Sequence, residues 1–321
     1  MIIAESMCTM TTHVDLSLLN YAHGGGDCDA DKACGTWDFT GLRRTMRGTR
    51  WPDILVLCEA ERYAFTGGAG AYEAALALRQ EQRDLGLRER PYVPLNGTLT
   101  QHRGPIAPTV FYDPTTIVVR QWFDGEDADG YERTRNLLKW WPAGAEDGPS
   151  NHLIPQHWPW NKPLGRVFDA EELTRYGRPG APPAVILGDF NTAASGEDVA
   201  GWDAINWWQT IRHSQAWAGR PEVYDSLPLD MLLGVWDADQ GRRVSAGGHE
   251  PGFADVAELV GDTRPTEAAK PPRPPQRNMR FLLNAGFRDR VVDGSYEVHD
   301  FLDEDNWDSD HKRVSVTLEV G

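Results

Sequence analysis

The chain has 321 residues, and its 48 acidic against 32 basic residues give a formal net charge of −16 at pH 7. A chain of this length can bury a sizeable core, and its 40% hydrophobic and 25% charged residues exclude wholesale disorder. So acidic a surface repels polyphosphate and anionic lipid, which excludes a protein that binds nucleic acid by charge alone. Phosphate chemistry would therefore need a local basic patch or a bound cation.

The cysteines and the first residues exclude further classes. None of the four cysteines are spaced as C-x-x-C, so a structural zinc site is not indicated. The first twenty residues lack a basic segment followed by a long apolar one, so no signal peptide is expected. The longest apolar runs have the length of a strand, so we expect no membrane span. The sequence predicts a cytoplasmic protein and gives no evidence of an obligate protein partner.

Two buried strands are predicted in the first sixty residues. The segment 13–20 alternates polar and apolar side chains, which is typical of a half-buried strand, and it ends at Asn20. A glycine-rich loop that contains His23 follows. The apolar segment 53–59 predicts a second strand, which ends on the carboxylate of Glu59.

Helices are predicted at three places. Thr36 or Asp38 can cap a helix that continues to about residue 49. The segment 69–84 is rich in alanine and leucine, and Gly86 ends it, so it predicts a longer helix. A short helix is predicted over 171–176.

The later strands complete the predicted architecture. They are expected at 109–112, 117–122, 184–188, 279–283 and 314–320. A proline-rich segment, 265–275, predicts an extended loop rather than a flexible linker. Because strands and helices alternate irregularly and buried strands recur in both halves, we expect one α/β (α+β) domain over 1–321, with two sheets and helices outside.

Polar residues follow several of the predicted strands at the point where each strand ends or the next begins. They are Asn20, Glu59, Asp189 with Asn191, and the run Ser309-Asp310-His311. Proteins of this class place their sites at such strand ends, along one edge of a sheet. A single carboxylate there is usually only solvated, but the whole set offers the hard oxygen ligands that suit Mg²⁺ or Mn²⁺.

These segments resemble the endonuclease/exonuclease/phosphatase superfamily, also called DNase I-like. The matching pieces are, in chain order, Leu18-Leu19-Asn20 before Gly24-Gly25, then Pro52 to Glu59, Asn151-His152-Leu153, Gly188-Asp189-Phe190-Asn191, and Ser309-Asp310-His311. The resemblance covers nearly the whole chain. It implies a four-layer sandwich, with two packed mixed β-sheets flanked by helices, and a divalent-cation-dependent phosphoesterase.

The resemblance also implies a role for each matched residue. Those that match the family's ligands for Mg²⁺ or Mn²⁺ are Glu59, Asn20 and Asp310. Those that match its catalytic residues are Asp189, Asn191, His152 and His311. In the family, the aspartate and asparagine orient the attacking water and hold the phosphate, while the histidines neutralise the phosphoryl oxygens. The chemistry of the reaction agrees with these roles, because phosphodiester cleavage requires that negative charge on the phosphoryl and leaving oxygens be neutralised.

One departure from the family pattern falls on Arg280. The family usually has an aspartate shortly before the Ser-Asp-His run, which orients the catalytic histidine. The matching segment 277–283 has Arg280 at that position, or Met279 if the register slips by one. Another acid such as Asp230 or Asp293 can substitute, the activity can be reduced, or Arg280 can bind a substrate phosphate. We favour a working enzyme with a modified site.

A second departure concerns the first histidine of the set. The residues before His152, 144–150, read as a loop, whereas the family has a hydrophobic strand there. His157 is therefore a rival for the same role. His23, before three glycines, is a further candidate for contact with the substrate phosphate, although a histidine in a loop is often merely exposed.

Thirteen tryptophans leave two interpretations open. Three close pairs, Trp140 with Trp141, Trp158 with Trp160, and Trp207 with Trp208, can stack nucleic-acid bases or pack against other side chains. We expect packing for most of them.

The sequence therefore predicts a Mg²⁺- or Mn²⁺-dependent phosphoesterase whose substrate is nucleic acid or another phosphate ester. The leading hypothesis is a nuclease that hydrolyses phosphodiester bonds by in-line attack of water. The alternatives are a phosphatase or phosphodiesterase that acts on a small-molecule or lipid phosphate, and a catalytically silent binding module of the same fold.

Overall fold

The computed structural model describes residues 12–26, 36–97, 107–123, 136–197, 212–245, 250–267, 276–300 and 309–321. The pair Trp207 and Trp208 and residues 268–275 of the proline-rich segment lie outside these ranges. Within them, no helix combines the length and the apolar character that crossing a membrane requires.

The strands of the described ranges are as follows: β1 (Thr12–Asn20), β2 (Ile54–Cys58), β3 (Val93–Asn96), β4 (Thr109–Tyr112), β5 (Ile117–Phe123), β6 (Leu137–Pro142), β7 (Asn151–His157), β8 (Ala184–Asp189), β9 (Ser214–Gln215), β10 (Arg220–Tyr224), β11 (Val235–Asp237), β12 (Arg242–Val244), β13 (Phe253–Asp255), β14 (Met279–Asn284), β15 (Glu297–Val298) and β16 (Val314–Val320). The helices are α1 (Thr40–Thr45), α2 (Glu61–Phe65), α3 (Ala69–Asp84), α4 (Pro163–Leu173), α5 (Leu227–Leu233) and α6 (Val256–Val260).

Most of the strands form two six-stranded mixed sheets. The first has the order β15-β16-β1-β2-β4-β3, and the second has the order β13-β14-β8-β7-β6-β5. In the first sheet β1 and β2 are parallel, and in the second β7 and β8 are parallel, whereas their outer neighbours pair antiparallel. The hairpins β9–β10 and β11–β12 stand apart from both sheets.

Alternation along the strands separates the side chains into layers. Val14, Leu16 and Leu18 of β1 share a buried core with Val185 and Leu187 of β8, between the two sheets. Residues of the opposite parity pack against helices instead. Those of β1 and β2 meet α1, α2 and α3, and those of β7, β8 and β14 meet α4 and α5. The result is the predicted four-layer sandwich of two mixed sheets flanked by helices.

Several predicted elements are confirmed and others are corrected. The helix predicted over 69–84 is α3, and the strand predicted over 314–320 is β16. The helix predicted up to residue 49 is the shorter α1, where Asp38 Oδ1 accepts a hydrogen bond from the Thr40 amide. The helix predicted over 171–176 is the end of α4 followed by a 3₁₀ turn at Thr174–Gly177.

The two parallel pairs position the candidate site. Asn20 lies beside Cys58 at the ends of β1 and β2, and His157 lies beside Asp189 at the ends of β7 and β8. Strands of a parallel pair end at the same edge of their sheet, so each pair presents its last residues together. The sheets meet here, since the Cys58 thiol donates a 3.4 Å hydrogen bond to the Gln156 carbonyl.

A glycine permits this close approach within the second sheet. A Cβ on Gly188 would lie 1.8 Å from the carbonyl oxygen of Gln156, which is far inside van der Waals contact. Only glycine therefore allows β7 and β8 to pair directly beside Asp189.

Candidate active site

An asparagine side chain joins the ends of the two sheets. Asn20, which is buried, donates from Nδ2 to Glu59 Oε1 at 3.1 Å and to Asp189 Oδ2 at 2.9 Å. Three residues that are remote in sequence are therefore in direct contact. Because both hydrogen bonds use the amide nitrogen, Oδ1 is the atom of Asn20 that can coordinate a cation.

Two of the site residues have a left-handed backbone. Glu59 has φ 57° and directly follows β2, and Asn191 has φ 49° and is the second residue after β8. This conformation costs a residue other than glycine roughly 1–2 kcal/mol, and such strain concentrates at functional sites. At Asn191 the turn is held by its amide, which donates to Asp189 Oδ1 at 2.9 Å, and by its side chain, which donates to the Trp158 carbonyl at 3.0 Å.

Two histidines surround Asp189 Oδ2. His157 Nε2 lies 3.7 Å from it and 3.6 Å from Glu59 Oε1. His311 Nε2 lies 3.6 Å from Asp189 Oδ2 and 3.8 Å from Asp310 Oδ1. One continuous cluster therefore contains Asn20, Glu59, His157, Asp189, Asp310 and His311, with Asn191 beside His157 at 3.4 Å.

The Ser309-Asp310-His311 run is fixed to β1. The Ser309 hydroxyl donates to the carbonyl oxygen of Asn20 and accepts a 3.0 Å hydrogen bond from the His311 amide. This serine therefore sets the position of both residues that follow it, next to the asparagine that joins the sheets.

The structure places His152, a predicted site residue, away from the cluster. His152 is paired with Ala184 at the start of the parallel β7–β8 ladder, whereas His157 is paired with Asp189 at its other end. The residues before His152 are indeed a loop, because β7 begins at Asn151 and extends beyond the histidine rather than toward it. The alternative candidate from the sequence, His157, is the histidine of β7 that lies beside Glu59 and Asp189.

The structure also places Arg280, a candidate for binding a substrate phosphate, outside the cluster. Arg280 pairs with Gly188 on β14, is 1% exposed, and donates to Glu197 and Asp255 at 2.7–2.8 Å. The side chain that shares the inter-sheet core with β8 is its neighbour Met279. Arg280 therefore faces away from the cluster and is neutralised by buried acids.

The two acids proposed to replace the family's aspartate do not contact His311. Asp230 accepts hydrogen bonds from Ser195 and Ser226, and Asp293 is exposed. A glutamate that sequence reasoning missed, Glu267, lies closer. A carboxylate oxygen of Glu267, one of Asp310 and a ring nitrogen of His311 all lie within 4.8 Å of one another. No local motif marks Glu267, since only the fold brings it to His311.

His23 lies in the loop after β1. Its Nδ1 is 2.8 Å from Glu61 Oε1, and its side chain is 55% exposed. Burial raises the pKa of the Glu61 carboxyl, although the hydrogen bond from His23 opposes this. Contact of His23 with substrate stays a prediction.

Two of the paired tryptophans are buried as expected, whereas a third, Trp160, is exposed. Trp140 and Trp158 are fully buried and pack in the cores. Trp160 is 42% exposed, two residues beyond the carbonyl that holds Asn191. The Arg212 guanidinium lies 4.2 Å above its ring, so an aromatic surface and a cation stand together there.

The acids of the cluster differ from other buried acids in their charge balance. Within the described ranges, no lysine or arginine forms an ion pair with Glu59 or Asp189, and the basic side chains within 4.0 Å of them are histidines, which carry a charge only when protonated. A second acidic group, Glu197, Asp255 and Glu258, is instead neutralised by arginines at positions 243, 277 and 280. The first group can hold a metal ion, whereas the second already has its cations.

The donor set fits a hard divalent cation. Glu59 and Asp310 are each 29% exposed, so their oxygens are accessible from outside, and Mg²⁺ or Mn²⁺ prefers carboxylate and amide oxygens. Cys58, the residue before Glu59, is buried, and burial raises the pKa of its thiol well above the ordinary value. The thiol therefore stays protonated and packs behind the site.

Comparison with known proteins gives no relative in sequence but several in structure. No protein-family model matches the sequence. No curated protein matches it.

Three solved structures cover almost all of the chain. A 2′,3′-cyclic phosphatase, ANGEL2, in complex with adenosine-2′,3′-vanadate, has a TM-score of 0.53 at 14% identity, covering 97% of this chain and 96% of that chain. An endonuclease/exonuclease/phosphatase family protein from Bacteroides thetaiotaomicron has a TM-score of 0.52 at 14% identity, covering 97% and 99%. An AP endonuclease from Archaeoglobus fulgidus has a TM-score of 0.52 at 15% identity, covering 96% and 100%.

These likenesses concern the whole architecture, since each covers nearly the full length of both chains. They agree with the two mixed sheets and the helices outside them. The predicted architecture is thus confirmed at the level of the fold, which this chain shares with these three structures.

Proposed function

We propose that the protein is a divalent-metal-dependent phosphoesterase, and specifically a nuclease that hydrolyses phosphodiester bonds by in-line attack of water. The observation that carries the proposal is the charge balance of the site. Glu59 and Asp189 share the amide of Asn20, yet no described lysine or arginine pairs with either. A divalent cation from outside the chain is the counter-charge that we propose for these carboxylates.

The residues that would hold this cation are Glu59, Asp310 and Asn20. When bound, Mg²⁺ or Mn²⁺ acts as a Lewis acid that offsets the negative charge of the phosphate ester. It would also reverse the local sign of an acidic site, so that a phosphate can approach.

The chain's own residues supply the remaining chemistry. Asp189 Oδ2 is the point on which Asn20, His157 and His311 converge, so it can align a water molecule opposite the leaving oxygen. His157 and His311 each present Nε2 to the cluster and can neutralise phosphoryl oxygens. Asn191 is held by two hydrogen bonds and can orient the phosphate.

The surface beside the cluster supports nucleic acid as the substrate. Exposed Trp160 under the Arg212 guanidinium offers a π-face on which a base can stack and a cation for the backbone phosphate. One of the structural neighbours is named an AP endonuclease, which is consistent with this substrate class.

The test is a substrate panel with metal and chelator. The protein is incubated with plasmid, single-stranded DNA, RNA and phosphomonoesters, each with Mg²⁺, Mn²⁺ or EDTA. We expect nicking that EDTA abolishes and that Asp189→Ala lowers at least about 100-fold. Asp293→Ala, which removes an exposed acid, is the matched control and should retain activity.

Two results would contradict the proposal. Turnover of monoesters without nicking would indicate a phosphatase, and Mn²⁺ binding with no turnover of any substrate would indicate a silent binding module. Trp160→Ala separates substrate classes, because it should weaken nicking about tenfold or more while leaving hydrolysis of bis(p-nitrophenyl) phosphate within about twofold.

A further inference from the structure

We propose that Glu267 is a positioning residue that fixes the imidazole of His311 in one tautomer. This is the role of the family's aspartate, whose position in this chain is occupied by Arg280 or Met279. The inference rests on the proposed phosphoesterase function, which gives His311 its task. It is carried by the placement of three side chains, His311, Glu267 and Asn278.

The His311 ring has one engaged nitrogen and one buried nitrogen without a partner. Nε2 faces the cluster, at 3.6 Å from Asp189 and 3.8 Å from Asp310. Nδ1 is buried and makes no hydrogen bond to any described residue. A buried ring nitrogen without a partner is unfavourable, so a nearby acceptor that closed on it would stabilise the ring.

Glu267 is the carboxylate in reach. Its backbone forms an antiparallel bridge with His311, and its side chain is buried. One of its oxygens lies within 4.8 Å of a ring nitrogen of His311. Hydrogen bonds of catalytic groups are often long before substrate binds and shorten in the complex, so this separation is within the range of a small rotation.

Asn278 anchors the glutamate. Its Nδ2 donates to Glu267 Oε2 at 2.7 Å, and its carbonyl accepts a 3.0 Å hydrogen bond from the amide of Phe190, the residue after Asp189. The carboxylate is therefore tied to the same strand ends as the catalytic cluster.

The chemical consequence concerns the other nitrogen. A carboxylate that accepts from Nδ1–H fixes that proton on Nδ1 and leaves Nε2, which faces Asp189 and the substrate position, to take up the second proton with which the imidazolium neutralises a phosphoryl oxygen. Without the acceptor, the proton exchanges between the two nitrogens and the ring is free to turn. Glu267 would thus replace, from a different segment, the aspartate whose place on the inner face of β14 is taken by Met279.

The first measurement reads the tautomer directly in metal-free protein. Long-range ¹H–¹⁵N correlation spectra of the full chain, with ¹⁵N-labelled histidine at pH 8, distinguish Nδ1–H from Nε2–H, and His311→Gln assigns the signal. We expect the Nδ1–H form in the native protein and an exchanging mixture in Glu267→Ala. Glu267→Gln keeps one acceptor oxygen and should restore the single tautomer.

The second measurement is kinetic, with bis(p-nitrophenyl) phosphate and Mn²⁺. Glu267→Ala should lower kcat about 10- to 100-fold, the usual effect of losing a group that orients a histidine. KM and the Mn²⁺ concentration for half-maximal rate should change less than about twofold. Glu81→Ala, which removes a buried glutamate bonded to Arg43 and Arg47 in another layer, is the matched control.

The outcomes separate this inference from the function on which it rests. An Nε2–H form in the native protein, or an unchanged His311 signal in Glu267→Ala, would overturn the inference. A Mn²⁺ requirement that rises in step with the loss of rate would make Glu267 a metal ligand and overturn it as well. Failure of the native protein to hydrolyse any ester refutes the proposed function, while the tautomer still tests Glu267.

Discussion

At the scale of single residues, the two histidines of β7 lie near opposite ends of the strand. His152 lies beside Ala184 and His157 beside Asp189. At about 3.3 Å per residue, five residues along a strand correspond to about 16 Å. His152 stacks edge-on against Tyr176, with ring centroids 6.1 Å apart, so its contacts are those of a packed side chain.

Substitution of the two histidines should therefore have opposite effects. His157→Ala should lower kcat for bis(p-nitrophenyl) phosphate about 100-fold or more, because it removes a group that faces both Glu59 and Asp189. His152→Ala should leave kcat within about threefold and lower the melting temperature. Steady-state rates and thermal unfolding of both variants check this, and the reverse pattern would restore His152 to the site.

The same buried histidine should make stability depend on pH. Burial, with Lys139 and Arg120 nearby, lowers the pKa of His152 to about 4 from an ordinary value of 6.5. Between these values the unfolded chain binds a proton that the folded protein does not, so stability is lost as the pH falls from about 6.5 to about 4. The urea midpoint should fall over this range, and less steeply in His152→Gln. An exposed control, His13→Gln, should keep the native slope; an equal slope in both variants would exclude His152.

At the scale of elements, alternate side chains of β14 face opposite sides of the sheet and so lie in different surroundings. Met279 packs between the sheets while its neighbour Arg280 lies in an ion cluster with Glu197 and Asp255. Arg277 donates to the same two acids. The strand therefore gives a hydrophobic residue to the inner face and fixes a cation on the outer one.

Loss of Arg280 should destabilise the protein without impairing substrate binding. Arg280→Met leaves two buried acids with one cation fewer, which should lower the free energy of unfolding by about 3 kcal/mol. KM and kcat, measured per folded molecule at a temperature below the transition, should change less than about twofold. Arg178→Met at an exposed position serves as the control. A tenfold rise in KM with native stability would support a phosphate-binding role instead.

Strand parity also explains which predictions succeeded. The ends of β1, β2 and β8 could be predicted because an apolar run that stops at a polar residue is a local signal, as at Glu59 and Asp189. The choice between His152 and His157 depends on where β7 begins, which its pairing with β6 and β8 decides. A one-residue shift exchanges the two faces of a strand, so the side to which Arg280 points could not be read from the sequence. The approach of Glu267 to His311 is a contact of the folded chain alone.

At the scale of the whole molecule, the acidic residues behind the net charge of −16 lie in two different surroundings. One group of acids is neutralised by arginines inside the protein, and another, around Asp189, faces histidines. The net charge therefore does not oppose phosphate chemistry uniformly. It leaves a site whose sign a metal ion can change, within a surface that repels long polyanions.

Salt should affect large and small substrates differently. Between 50 and 200 mM NaCl, we expect KM for plasmid nicking to rise by up to about tenfold, because few basic groups contact the backbone. A protein with many such contacts loses roughly 1,000-fold or more. KM for bis(p-nitrophenyl) phosphate should stay within about twofold. Rates at four salt concentrations decide the matter, and a plasmid KM independent of salt would contradict it.

The antiparallel pairing of β1 with β16, from Thr12 beside Val320 to Leu18 beside Val314, places the last strand against one of the first. On a ribosome, Asn20 is made almost a whole chain before Asp310, an interval of about 15 to 60 s at roughly 5–20 residues per second. During that time β1 lacks one of its two neighbouring strands, and the acids that would hold a cation are not yet together. A protein proposed to cut nucleic acid is thus inactive while it is still being translated from RNA, and chains stalled before residue 309 should show no hydrolysis.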